Sequence, residues 1–106
     1  MTLNELFTLL NGVLPSKVAY GQWPEGGAPA LPWIVYELDH TENFMADAKV
    51  YKVRQRVNIL LYSKNKDITT ETEIERMLDE NSIQWQKFEE YIESEKCYEI
   101  TYEIRI

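Results

Sequence analysis

The sequence predicts an α+β domain of two layers, in which a mostly antiparallel sheet carries two amphipathic helices on one face. Two segments repeat apolar residues at helical spacing, and several others alternate apolar and polar residues as strands do. No repeat, low-complexity tract or linker divides residues 1–106, which predicts a single domain. The predicted order is α-(β)-β-β-α-β-β, in which the bracketed strand is short.

The first helix is predicted over residues 2–11. Thr2 and Glu5 have the spacing of a capping box, and Gly12 and Pro15 follow as end signals. Its apolar stripe consists of Leu3, Leu6, Phe7 and Leu10.

A short strand is predicted within residues 17–22, followed by a long loop. The segment GQWPEGGAPALP holds three glycines and three prolines in twelve residues. Loops of this length in compact domains often carry function, which draws attention to Trp23.

Two strands are predicted next, over residues 33–39 and 50–62. The segment HTENFMADAK between them is predicted to be a ten-residue loop carrying Phe44 and Met45. The second strand should present Lys52, Arg54 and Arg56 on its outer face, and its other face is apolar apart from Gln55. That face is formed by Tyr51, Val53, Val57, Ile59 and Leu61.

A second helix is predicted after the polar segment SKNKD, and a hairpin then closes the sheet. Asp67 or Thr70 serves as the predicted N-cap of this helix, and Asn81 and Ser82 end it. The narrow apolar stripe of this helix should face the core. The apolar residues that alternate strictly along the last strand should face it as well. Residues 84–92 and 97–106 form the predicted hairpin around ESEK.

Charge and composition exclude several classes of function. The net charge of -7 disfavours a sequence-independent grip on phosphate backbones, so nucleic-acid binding is not expected. The N-terminal segment MTLNELFTLL lacks the features of a leader, and no apolar run is long enough to cross a bilayer, so we expect a complete cytosolic chain. The glycine-containing segment GQWPEGG has neither dinucleotide-binding nor P-loop spacing.

No catalytic or metal site is predicted. His40 is the only histidine, and its neighbour Asp39 should point to the opposite face of a strand, so this pair alone cannot begin a triad. Cys97 is the only cysteine and is expected to be inert. The many carboxylates follow a surface helix and a turn, where such runs are usually solvated. We therefore expect no enzyme activity, no cofactor and no metal.

The candidate interface residues are Trp23, Phe44, Met45, Lys52, Arg54 and Arg56. The three cations either pair with acids of neighbouring strands, with Glu37, Asp39, Glu99 and Glu103 as candidates, or meet an acidic face of another copy. The three apolar residues either fold back onto the core or anchor an interface. The sequence leaves both alternatives open.

Segments spread over the whole chain resemble a known protein family. These segments are LNELFTLL, VAYGQWPEG, WIVYELD, NFMADAKVYKV, ILLYSKNKD, TETEIERMLDEN and EEYIESEKCYEITYEI. They are similar to the small tail-completion proteins of siphophages and Gram-positive prophages, which include the tail terminators or tail-to-head joining proteins. The shared segments are structural and contain no catalytic motif.

The resemblance implies a non-enzymatic virion subunit, made in the bacterial cytoplasm, that closes into a ring, commonly a hexamer. The ring would cap the head-proximal end of the tail tube and contact the major tail protein and the head-completion protein. DNA would pass through it only as cargo. Residues 22–30 and 43–49 match the family's long variable loops.

An alternative hypothesis belongs to another class of protein. In this hypothesis the chain is a small acidic regulator or inhibitor, of the type that mimics DNA, and it occupies the basic site of a protein partner. The acidic stretches 71–80 and 89–95 would form its binding surface.

Overall fold

The computed structural model describes the backbone of residues 1–106 and all side chains except those of Ala46, Val50 and Tyr51. The expectation that Tyr51 lies on the apolar strand face therefore falls outside the described side chains. The two helices and five strands follow the predicted order, and the α+β class is confirmed. The elements are α1 (Leu3–Val13), β1 (Val18–Tyr20), β2 (Trp33–Ala46), β3 (Lys49–Ser63), α2 (Ile68–Glu80), β4 (Trp85–Ile92) and β5 (Cys97–Arg105).

The five strands form one mixed sheet in the order β1-β2-β3-β5-β4. Strand β1 runs parallel to β2, and all other neighbouring pairs are antiparallel. The sheet therefore consists of two hairpins, β2–β3 and β4–β5, joined through β3 and β5, with β1 added at the edge of β2. Strand β3 is central and pairs with β2 on one side and β5 on the other.

Both helices contribute to the core on one face of the sheet. Leu6 and Leu10 of α1, and Ile74 and Leu78 of α2, are fully buried. Each such side chain stabilises the fold by about 1.5–3 kcal/mol through burial alone. The sheet supplies the opposing layer, whose fully buried members include Ile34, Val57, Ile59, Leu61, Ile100 and Tyr102.

The helix ends follow the predicted cap chemistry with one correction, and the structure decides between the two predicted caps of α2. Thr2 and Glu5 form the reciprocal capping box of α1, but the helix runs through Gly12 and ends only at Val13. Asp67, rather than Thr70, is the N-cap of α2, because the Asp67 side chain accepts hydrogen bonds from the Thr70 backbone and hydroxyl. An acidic cap at this position also interacts favourably with the helix dipole.

The prediction of a ten-residue loop between β2 and β3 is wrong. Residues 40–46 and 49–55 continue the two strands, and only Asp47 and Ala48 form the turn. Both turn residues have positive φ values, 52° and 61°, as a type I′ hairpin turn requires. Register shifts after Leu38 and after Phe44 interrupt the alternation of β2, so this stretch does not read as a strand in the sequence.

Ala48→Gly is expected to stabilise the hairpin by about 0.5–1 kcal/mol, because glycine adopts positive φ without the strain caused by a Cβ atom. Amide hydrogen exchange of residues 41–54 would show the change as increased protection. Ala30→Gly, in an exposed loop without a positive φ value, is the matched control and should not increase the protection of residues 41–54. Unchanged or faster exchange in Ala48→Gly would contradict the prediction.

Candidate interaction surface

The β2–β3 hairpin projects beyond the rest of the sheet. Strand β5 pairs with β3 as far as Arg56, and two further backbone hydrogen bonds join Gln55 and Ile106. Strand β1 pairs with β2 only over residues 34–36. Residues 41–54, which we call the arm, pair only with each other and extend about 20 Å beyond the sheet. The long dimension of the protein, 51 Å against 29 and 24 Å, reflects this projection.

The arm exposes large apolar side chains on both of its faces. Phe44 is 43% exposed, Met45 58% and Val53 57%. The register pairs Phe44 with Lys52 on one face and Asn43 with Val53 on the other. An isolated two-stranded ribbon is only marginally stable in water, so these side chains gain most if another surface covers them.

A basic groove lies between the arm and the end of the β4–β5 hairpin. It encloses about 860 Å³ and is lined by Lys52, Arg54, Arg56 and Arg105. Its other lining residues include a single carboxylate, and they are Phe44, Ser82, Gln84, Trp85, Gln86, Glu103 and Ile104. The structure thus brings Phe44 together with the three predicted cations. It adds Arg105, which the sequence did not predict as part of this surface.

Glu42 is the carboxylate of the same chain that pairs with cations of this groove. Its Oε1 atom accepts a hydrogen bond from Nε of Arg56 at 3.2 Å and forms an ion pair with Nε of Arg105 at the same distance. The predicted ion-pair partners on β2 and β5 were Glu37, Asp39, Glu99 and Glu103, and the observed one is Glu42. Lys52 and Arg54 form no ion pair with any residue whose side chain is described. Two cations are therefore available to another molecule.

Trp23 lies apart from the arm. Its ring packs edge-on against Trp33 at a centroid distance of 6.1 Å, and Trp33 packs on Tyr62 at 4.5 Å. The long loop therefore folds back over the sheet face opposite the helices, which we call the outer face. The indole Nε1 of Trp23 is buried without a hydrogen-bond partner among the described residues.

His40 and Asp39 contact each other, contrary to the expectation that they point to opposite faces. The register shift between Leu38 and His40 brings His40 Nδ1 to 2.6 Å from Asp39 Oδ2. Both side chains are more than half exposed, so the pair contributes little to stability. Cys97 is buried, and its burial, followed by the charges of Glu95 and Glu99, raises the pKa of its thiol. A raised pKa disfavours the reactive thiolate.

A charged network lies beneath α2, where it meets β4 and β5. The Glu71 side chain is only 2% exposed, and its Oε1 contacts Nζ of Lys66 at 2.8 Å and of Lys87 at 2.7 Å. Lys87 also contacts Glu75, and Lys66 contacts Glu89. The hydrogen bonds to Glu71 and Glu89 raise the pKa of Lys66. Burial opposes the charge on Lys87, but its bonds to Glu71 and Glu75 outweigh that effect and raise its pKa.

This network should make stability depend on pH through Glu75. Burial alone would raise the Glu75 pKa, but hydrogen bonds from Lys87 and Tyr102 outweigh it and lower the pKa below its ordinary 4.5. The unfolded chain therefore binds more protons in this range, and the stabilisation present above pH 4.5 is lost as pH falls through the folded-state pKa. Glu75→Gln should flatten this loss in urea unfolding between neutral and acid pH. Glu80→Gln, on the exposed end of α2, is the control. If the free energy of unfolding falls equally with decreasing pH in both variants, the role of Glu75 is refuted.

Comparisons with known proteins identify no family for this chain. The chain matches no family model, and no curated protein matches it significantly. Within the described part of the chain, no helix has the length and apolar character needed to cross a membrane. The same residues contain no cluster of three or more His, Cys, Asp or Glu side chains suited to a metal ion.

Proposed function

We propose that this protein is a structural subunit that assembles into a ring and completes the tail of a siphophage or prophage. The ring caps the head-proximal end of the tail tube, ends its polymerisation and joins it to the head-completion protein. This virion role follows the family resemblance of the sequence, and the ring size expected from it is six.

The arm is the observation that carries the proposal. A projecting ribbon with exposed Phe44 and Met45 is suited to contact a surface of another protein subunit. The basic groove at its base lies on a chain of net charge -7, so copies of the chain offer complementary charge to each other. An assembling subunit explains both features.

The acidic-inhibitor hypothesis receives less support. Of the carboxylates it would use, Glu71 is buried, and Glu75 and Glu89 are held by lysines. These carboxylates have roles within the fold and do not form a continuous free surface that could imitate a phosphate backbone.

The proposal is tested by mixing the purified protein with tail tubes of the encoding phage and examining the mixture by negative-stain electron microscopy. Wild-type protein should form a ring at one tube end and prevent further lengthening. Arg54→Glu and Arg56→Glu should each reduce capping while circular dichroism shows the wild-type fold. Lys64→Glu, which changes charge outside the groove, is the control. Absence of wild-type protein from tube ends, or equal capping by all variants, would refute the proposal.

A further inference from the structure

The outer face of the sheet is charged oppositely at its two ends. Directly paired residues of an antiparallel sheet share a face, so the register defines rows across β2, β3, β5 and β4. The row nearest the arm pairs Arg56 with Arg105, and Arg54 lies one row further out. The row at the far end contains Trp33, Tyr62, Glu99 and Glu90.

The far end is an acidic corner, which we define as Glu90, Glu95 and Glu99. Glu90 and Glu99 lie directly opposite each other on β4 and β5, and like charges in this arrangement repel. Glu99 accepts a hydrogen bond of 2.7 Å from the Tyr62 hydroxyl, but Glu90 and Glu95 form no ion pair within the described structure. Glu95 lies in the turn between β4 and β5, four residues before Glu99.

The groove, at the other end of the outer face, carries an excess of positive charge. Arg56 and Arg105 are a directly opposed pair of like charges, and Glu42 is the carboxylate between them. Lys52 and Arg54 extend the positive surface along the arm. Each end of the outer face thus carries a repulsive pair that charges of the opposite sign would relieve.

One copy cannot bring its own two ends together. Arg54 and Tyr62, which marks the acidic row, are eight residues apart on β3, or about 26 Å at about 3.3 Å per residue. Both ends belong to one continuous strand. Contact between them therefore requires two molecules.

We propose that the basic groove of one copy receives the acidic corner of a second copy. This inference rests on the self-assembly proposed above and specifies its contact. Lys52, Arg54, Arg56 and Arg105 would face Glu90, Glu95 and Glu99, and Phe44 would be covered at the same time. The ring proposed above requires this contact to be made once between neighbouring copies, head-to-tail, because a reciprocal contact of both ends would close as a two-fold dimer.

A reciprocal charge exchange tests this contact by sedimentation velocity at low salt over a range of protein concentrations. Lys52→Glu/Arg54→Glu and Glu90→Lys/Glu95→Lys should each weaken self-association at least tenfold. An equimolar mixture should associate again, because both of its mixed contacts join opposite charges. Double variants Lys64→Glu/Arg76→Glu and Glu73→Lys/Glu80→Lys make the same charge changes elsewhere and should associate like the wild type.

A second measurement does not depend on these variants. Wild-type protein labelled with ¹⁵N is mixed with unlabelled protein and treated with a carbodiimide, which joins lysine to carboxylate without a spacer. Mass spectrometry should find Lys52 joined to Glu90 or Glu95 in peptides of mixed label, which proves a link between copies.

The two proposals fail in different ways. If wild-type rings form on tubes but the mixture is not rescued and no such cross-link appears, the contact is wrong and the ring function stands. Weakening by Lys52→Glu/Arg54→Glu alone would show that the groove binds something other than the acidic corner. A wild-type protein that stays single in solution and on tubes would overturn both proposals.

Discussion

Removing the arm is expected to abolish self-assembly and to leave the remainder of the protein folded. In the variant, residues 42–54 are replaced by Asn-Gly, so that the register pair Thr41 and Gln55 flanks a two-residue turn. None of the described side chains removed belongs to the hydrophobic core. The free energy of unfolding should therefore change by about 1 kcal/mol or less.

The loss of association should be large because the deletion removes several contacts together. The arm carries Phe44, Met45 and two of the groove cations, and central apolar or arginine anchors often contribute 2 kcal/mol or more each. We expect association at least about a hundredfold weaker in sedimentation velocity.

A smaller change separates the apolar contribution from that of the charges. Phe44→Ser/Met45→Ser keeps every charge of the arm and should still weaken association markedly. Ile68→Ser is the matched control, since Ile68 is 66% exposed on α2, outside the arm. Association of the arm-less protein at wild-type strength would remove the arm from the assembly contact.

The second large effect concerns stability. Lys66→Met/Lys87→Met leaves the fully buried Glu71 carboxylate without either of its cations. A buried charge deprived of its partners costs about 3–5 kcal/mol, which is a large fraction of the stability of a small domain. Urea unfolding at pH 7 should show this loss as a lower midpoint with an unchanged slope.

A third substitution distinguishes the charge from simple loss of packing. Adding Glu71→Leu to the double variant removes the uncompensated carboxylate and should restore much of the lost stability, because apolar replacement of a whole buried ion network is often neutral or favourable. Lys64→Met/Lys96→Met removes two exposed lysines and should change stability by less than about 0.5 kcal/mol. No loss in the Lys66/Lys87 variant would mean that Glu71 does not need these cations.

Periodicity predicted the parts of the fold that lie against the core. The helix stripes, the apolar residues of β3 and the alternation of β5 are regular because one side of each of these elements is buried, whereas β4 is exposed along most of its length. The arm lacks this constraint. Its residues are exposed on both faces, and its two register shifts displace the alternation, so a strand in this place leaves no apolar pattern in the sequence.

The groove could be predicted only in part for a similar reason. The two-residue spacing along one strand puts Lys52, Arg54 and Arg56 on the same face, and this spacing is visible in the sequence. Arg105 joins them because β5 pairs with β3 in a particular register, and Glu42 reaches them only because the supposed loop is a strand. The buried Glu71 was likewise read as part of a solvated acidic helix, since its lysine partners come from other elements.

The unequal ends of the outer face have a consequence for the shape of any closed assembly built through them. A ring whose members all point the same way around its circumference contains no two-fold axis that would exchange its upper and lower rims. The two rims are then chemically unlike, and each can be complementary to a different neighbour. A collar that must meet a tube on one side and a capsid on the other needs this directionality.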